Sequence, residues 1–188
     1  MPYAIKPLTP ETWDDFEALA LRHNGVWGGC WCTWFHQNDA IKRGTPEENK
    51  ALKRSLVMQG KAHAALVYEE GAPIGWCQYG SPEELPAIYH KKEVESGEYS
   101  FPDWRITCIF VDKSQRGKGV AKAAVEGALE LIRQAGGGIV ETYPQNTEGK
   151  KISSSFLYNG TQTLFESCGF QLIRTKGKNH CIMRKTVE

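Results

Sequence analysis

The 188-residue chain contains no apolar run approaching the roughly 20 residues of a membrane helix, and its first residues, Met1-Pro2-Tyr3-Ala4-Ile5-Lys6, hold no apolar signal core. A cytoplasmic protein with no membrane partner is the expectation. Neither sign of charge is in excess: 23 Lys and Arg against 22 Asp and Glu leave a formal net charge of +1. The basic residues are scattered rather than gathered into a run, so no nucleic-acid footprint appears. Internal repeats and low-complexity linkers are also missing. One hydrophobic core can hold a chain of this length, and a single domain over 1–188 is expected.

The six cysteines, Cys30, Cys32, Cys77, Cys108, Cys168 and Cys181, read as free thiols in that compartment. Cys30, Cys32 and His36 have the residue types zinc prefers, but one intervening residue and no second paired cluster is poor spacing for it. No metal is expected.

What the chain does contain, near its middle, is a strand, a glycine-rich turn and a helix in succession. Arg105 to Val111 is an apolar strand leading to Arg116-Gly117-Lys118-Gly119-Val120-Ala121. From there Val120, Ala121, Ala124, Val125, Ala128, Leu129 and Ile132 recur at three- and four-residue spacing, the mark of a helix packed on a sheet. Gly136, Gly137 and Gly138 stop it, and Ile139 to Tyr143 reads as the next strand. The first turn of such a helix has unbonded N–H groups and the positive end of its dipole, so the junction suits a phosphate or pyrophosphate. Lys122 stands where a dinucleotide fingerprint needs its third glycine, and no Gly-Lys pair precedes Ser or Thr as in a nucleotide P-loop.

Around this unit the remaining elements follow from caps and periods. Tyr3 to Leu8 is a strand; Thr9 and Pro10 begin a helix with Trp13, Phe16, Leu19 and Ala20 inward. Thr45, Pro46 and Glu48 form a capping box for a helix through about Met58, with Leu52 and Leu56 inward. Ala62 to Tyr68 and Pro73 to Tyr79 make a hairpin, a short helix ends at Cys168 before Gly169, and strands lie near Phe170 to Thr175 and His180 to Lys185.

Arg116-x-x-Gly-x-Ala between strand and helix resembles the pyrophosphate loop of the GNAT superfamily of N-acetyltransferases. Leu164-Phe165-Glu166-Ser167-Cys168-Gly169-Phe170 is similar to that family's Leu-Tyr-Glu-x-x-Gly-Phe, and the element order agrees over essentially the whole chain. The resemblance implies an α/β (α+β) fold whose mixed, mostly antiparallel sheet has a splayed central parallel strand pair and about four flanking helices. It implies acetyl-CoA as co-substrate, entering between Arg105–Val111 and Ile139–Tyr143. Backbone contacts would come from Ile109, Phe110 and Val111, and the pyrophosphate N–H groups from Arg116, Gly117, Lys118, Gly119, Val120 and Ala121. Asn159 and Phe165 would complete the coenzyme site. The implied activity is N-acetyl transfer to a primary amine, on a small molecule or a peptide, by direct attack.

Phe165 occupies the place of the family's usual tyrosine proton donor. A thiol of pKa near 8.5 leaves tolerably as its anion, so the loss weakens the case for catalysis without removing it. Tyr158 or Tyr143 is the substitute donor, each also readable as packing. No carboxylate lies within Ile106 to Val111, so Glu141 on the neighbouring strand is the leading base and Asp103 a weaker one. Cys108 as nucleophile lacks a sequence-evident base and reads as strand filling.

The oddest composition is Val26-Trp27-Gly28-Gly29-Cys30-Trp31-Cys32-Thr33-Trp34-Phe35-His36, which holds three of the six tryptophans. Trp27, Trp31 and Trp34 read either as an acceptor wall or as a small satellite core. Ser81 to Trp104 is too long for a hairpin turn and reads as an acceptor-side lid bringing Tyr89 and Trp104, as a homodimer contact, or as a surface excursion packed on its own aromatics. Two other functions stay open: a non-catalytic acyl-CoA sensor, and a protein-interaction domain using residues 26–36.

Overall fold

The structure, a computed structural model, describes residues 3–153 and 157–188. The chain runs β1 (Ala4–Pro7), α1 (Trp13–Leu21), α2 (Pro46–Met58), β2 (His63–Glu69), β3 (Ala72–Gly80), α3 (Lys91–Val94) and β4 (Trp104–Val111). It continues with α4 (Val120–Gln134), β5 (Gly138–Thr142), α5 (Gln162–Ser167), β6 (Gln171–Lys176) and β7 (His180–Val187). The strands form one sheet ordered β1-β2-β3-β4-β5-β7-β6, antiparallel except for the β4–β5 pair. This is the expected mixed architecture. The single turn α3 is an addition, too short for a hydrophobic period to reveal.

Local chemistry sets the helix starts. Thr45 Oγ1 accepts from the Glu48 N–H at 3.2 Å while Glu48 Oε2 accepts from the Thr45 N–H at 2.7 Å, closing the capping box of α2. Pro10–Thr12 forms a tighter 3₁₀ turn instead of the first turn of α1, with Thr12 Oγ1 donating back to the Pro7 carbonyl at 2.7 Å. The buried stripe of α2 is Asn49, Lys53, Leu56 and Val57; Leu56 faces inward as expected, and Leu52 is only partly buried against the same core. Two polar side chains therefore face the core.

α4 packs on one face of the sheet, placing Val120, Ala124, Val125, Ala128 and Ile132 against Ala65, Val67, Cys77 and Ile109. On the other face Trp13 and Phe16 of α1 and Leu56 and Val57 of α2 meet Leu66, Trp76 and Phe110. Two features open the middle of the sheet. β4 pairs with β5 only at Trp104↔Val140, Arg105↔Glu141 and Ile106↔Thr142, although β4 runs on to Val111. In β4 the register against β3 steps from Tyr79↔Ile106 to Gln78↔Cys108, leaving Thr107 as the extra residue of a β-bulge. The bulge turns the Thr107 and Cys108 side chains to the same face, where Thr107 meets Gln78 and Cys108 meets Cys32. Among the described residues, no helix is long and apolar enough to cross a membrane.

Candidate active site

Where β4 leaves β5, a cleft of about 540 Å³ opens, lined by Ile109, Phe110, Val111, Arg116, Gly117, Ala121, Leu157, Gly160, Thr161, Leu164 and Trp27. Its size suits a small-molecule ligand. One end is the glycine-rich turn. Gly117 and Gly119 adopt φ of 76° and 82°, and a Cβ built on either would meet nothing within 4 Å. The backbone there is bare toward open space at the start of a 15-residue helix, which is what an anion needs in order to approach main-chain N–H groups. The chain's residues thus fit a pyrophosphate at this end.

The resemblance-based coenzyme residues divide. Ile109, Phe110, Val111, Arg116, Gly117 and Ala121 come together in the cleft, with Lys118 and Gly119 in the same exposed turn. Val120 is buried in the core beneath α4 and does not line the cleft. Phe165 is a correction: it is fully buried, 5.0 Å from the Phe170 ring, and belongs to the core beneath α5. Asn159 is buried beside the cleft with Oδ1 lacking a hydrogen-bond partner. The Ile109 amide, expected to meet the ligand, donates to the Tyr158 carbonyl at 2.7 Å, so the chain's own loop already takes that bond.

Trp27 also lines a second, smaller pocket of about 90 Å³, with Cys30, Cys32, Trp34, Phe35, Arg43, Tyr89, Cys108 and Tyr158. The Trp34 and Tyr89 rings stack at 3.8 Å, and Tyr158 packs 6.0 Å from Trp27 and 6.3 Å from Tyr89. Burial, with Tyr89 beside it, pushes the Tyr158 hydroxyl well above the ordinary phenol value, so it stays protonated and able to donate. Of the expected acceptor residues, Trp27, Trp34 and Tyr89 are brought together. Trp31 and Trp104 are corrections. Trp31 is turned into the core against Trp13 and Phe16, and Trp104 lies against Tyr79 with its indole N–H donating to the Gly137 carbonyl at 2.9 Å.

The expected base and second donor are likewise spoken for. Glu141 is completely buried and accepts from Tyr99 at 2.7 Å, from Tyr143 at 2.6 Å and from Arg184 at 2.6 Å. Tyr143, also buried, has its hydroxyl committed to that carboxylate. Both are structural in this arrangement. Asp103, the weaker base, accepts from the Ile139 N–H at 2.7 Å.

Beneath the small pocket lies a polar chain that the sequence did not suggest. Lys53, with no exposed surface, donates to Gln78 Oε1 and to His36 Nε2, the latter at 3.2 Å. His36 Nδ1 lies 2.8 Å from the Glu84 carbonyl, which fixes the proton on Nδ1, and Gln78 Nε2 donates to Thr107 Oγ1 at 3.1 Å. Burial, then the neighbouring Lys53, pulls His36 down to about 3, and burial lowers Lys53 as well. A signal for Lys53 did exist, since Asn49, Lys53, Leu56 and Val57 share one helical face. Asn49 ties the aromatic loop to α2 by donating to the Gly29 carbonyl at 2.9 Å. Among the described residues, no group of three His, Cys, Asp or Glu side chains is arranged to hold a metal ion.

The profile of the acetyltransferase (GNAT) family matches residues 31–151. The chain belongs to the GNAT acetyltransferase family. As a member, it takes acetyl-CoA as co-substrate. The GNAT fold is shared with solved structures of low sequence identity. An N-acetyltransferase from Staphylococcus aureus Mu50 is 14% identical, with a TM-score of 0.54 over 100% of both chains. An acetyltransferase from Thermus thermophilus is 13% identical, TM-score 0.52, covering 99% of this chain and 97% of that one. The yncA protein of Salmonella typhimurium, solved with its cofactor acetyl-CoA, is 13% identical, TM-score 0.55, covering 100% and 95%. No curated protein matches the chain in sequence.

Proposed function

We propose that this GNAT acetyltransferase acts as one unit over residues 1–188, moving an acetyl group from acetyl-CoA to a primary amine by direct attack, without a covalent acyl-enzyme. The observation that carries the reading is Trp27, a wall common to the large cleft and the small aromatic pocket. Coenzyme on one side and amine on the other would meet there, and holding two reactants in line is the larger part of such catalysis.

The thioester supplies a leaving group that departs tolerably as its anion. The turn 116–121 holds the pyrophosphate through its backbone, and Asn159 and the edge of β4 border the coenzyme arm. Trp27, Trp34 and Tyr89 enclose the acceptor, and Tyr158 donates a proton to the departing thiolate. Among the described residues, no carboxylate lines the aromatic pocket, while Arg43 does. A positive neighbour disfavours an ammonium, so the amine enters in its neutral, nucleophilic form, its proton lost to water.

The competing readings divide on the same observations. A protein-interaction role for residues 26–36 needs exposed aromatic surface, yet Val26, Trp31, Phe35 and His36 are buried in the domain itself. The sensor reading differs only in turnover.

Calorimetric titration with acetyl-CoA, on the natural chain and on Gly119→Val, tests the placement of the coenzyme. The natural protein is expected to bind, and the variant to lose at least about tenfold in affinity while still melting cooperatively, because a side chain fills the bare approach. Equal affinity would remove the turn from the site. Thiol release over a panel of primary amines then separates enzyme from sensor, and binding without release on the whole panel would favour the sensor.

A further inference from the structure

Cys32 and Cys108 are 76 positions apart in sequence, yet their Sγ atoms lie 2.9 Å from each other. Both line the aromatic pocket. The two sulfurs are in contact, within about 1 Å of the roughly 2.05 Å of a disulfide bond, so little movement is needed to join them. Cys30 lines the same pocket; its sulfur accepts from the Cys32 N–H at 3.3 Å and also interacts with the Cys32 thiol, which makes it the competing partner the test has to separate. Cys77, Cys168 and Cys181 belong to the core on the opposite face of the sheet and have no such partner. The pocket is therefore a path by which a small solute reaches one particular pair of thiols.

We propose that Cys32 and Cys108 are a modification site, a dithiol that a peroxide entering the aromatic pocket oxidises to a disulfide. One thiolate attacks the peroxide O–O bond, becoming a sulfenic acid as the first water leaves after taking up a proton. The second thiol then displaces the hydroxyl of the sulfenic acid, forming the S–S bond and releasing a second water. Two thiols are oxidised, and the peroxide takes two electrons and two protons. Burial raises both thiols, and the nearby Lys53 opposes that rise by favouring the thiolate. Selectivity comes from the contact between the two sulfurs and from the pocket that reaches it, and holds whether or not the pocket receives the amine.

Treatment of the full-length protein with hydrogen peroxide, alkylation of remaining thiols, and tryptic mapping by mass spectrometry give the test without any substitution. Free thiols should fall from six to four. The peptides 23–42 and 106–113 should appear joined, and separate again on reduction. Cys30→Ser should keep the joined pair, whereas Cys108→Ser should lose it. Six thiols remaining free under peroxide that oxidises a glutathione control would overturn the proposal. So would a bridge confined to 23–42, or a sulfinic acid at Cys30 in place of the link.

Discussion

At the scale of single residues, the site depends on groups whose neighbours set their protonation. Tyr158 borders the aromatic pocket with a hydroxyl that burial keeps protonated, so Tyr158→Phe should lower kcat by about tenfold to a hundredfold with acetyl-CoA affinity unchanged. Steady-state kinetics with a calorimetric Kd measures both, and an unaltered kcat would return the tyrosine to a packing role. His36 supplies a pH dependence of stability. Folded, it stays neutral down to about pH 3, whereas the unfolded imidazole takes up a proton below about pH 6.5. In that window the unfolded chain binds more protons, so stability is lost as pH falls, by an amount of order a few kcal/mol. Urea unfolding at pH 7 and pH 4 should show the loss, and His36→Gln should flatten it. Residue types announced much of this region and burial did not: Trp27 and Trp31 look alike in sequence, but one borders a cleft and the other fills the core. The Cys32–Cys108 contact was invisible for a different reason, since only the β4 bulge and the folding of the aromatic loop bring the two together.

At the scale of elements, caps and periods carried most of the information. The capping box, the glycine stop and the apolar stripe of α4 locate their helices within a residue or two; Pro10–Thr12 departs by winding tighter, and the single turn α3 was not anticipated. The Ser81–Trp104 excursion was legible from its length, but its burial was not, and the bulge was not legible at all because it is decided by pairing with a distant strand. Leu85 and Val94 of the excursion are fully buried, and Arg105 donates to the Leu85 carbonyl at 2.9 Å. Much of what reads as a lid is therefore part of the core, with Tyr89 as its contribution to the pocket. Packing between elements makes a further prediction at Gly75 of β3. A Cβ there would stand 2.7 Å from the Phe110 carbonyl oxygen and 3.1 Å from Val120 Cγ1. Gly75→Ala should cost about 1–3 kcal/mol by forcing β3, β4 or the start of α4 apart, and coenzyme binding should weaken with it. Chemical denaturation and calorimetry on the same preparation check the two effects.

For the whole molecule, the Glu141 network links distant parts of the chain. Its carboxylate joins β5 to Arg184 of β7 and to Tyr99 of the excursion, closing the sheet beside the splay. Glu141→Gln leaves Arg184 without its full counter-charge and should destabilise the fold by about 3 kcal/mol, the lower end for a broken buried pair. The kcat of the folded fraction should be unchanged, and a large fall in kcat at full folding would restore Glu141 as the base. The global architecture was legible because a β-α-β unit with its loop motif fixes where the sheet opens. What the motif does not disclose is the state of that opening. The Tyr158 carbonyl sits on the Ile109 amide, so the short segment 157–160 competes with any ligand for the edge of β4. An incoming ligand that uses this amide exchanges one hydrogen bond for another instead of adding one, and its apparent affinity is scaled by the fraction of molecules in which the segment has let go.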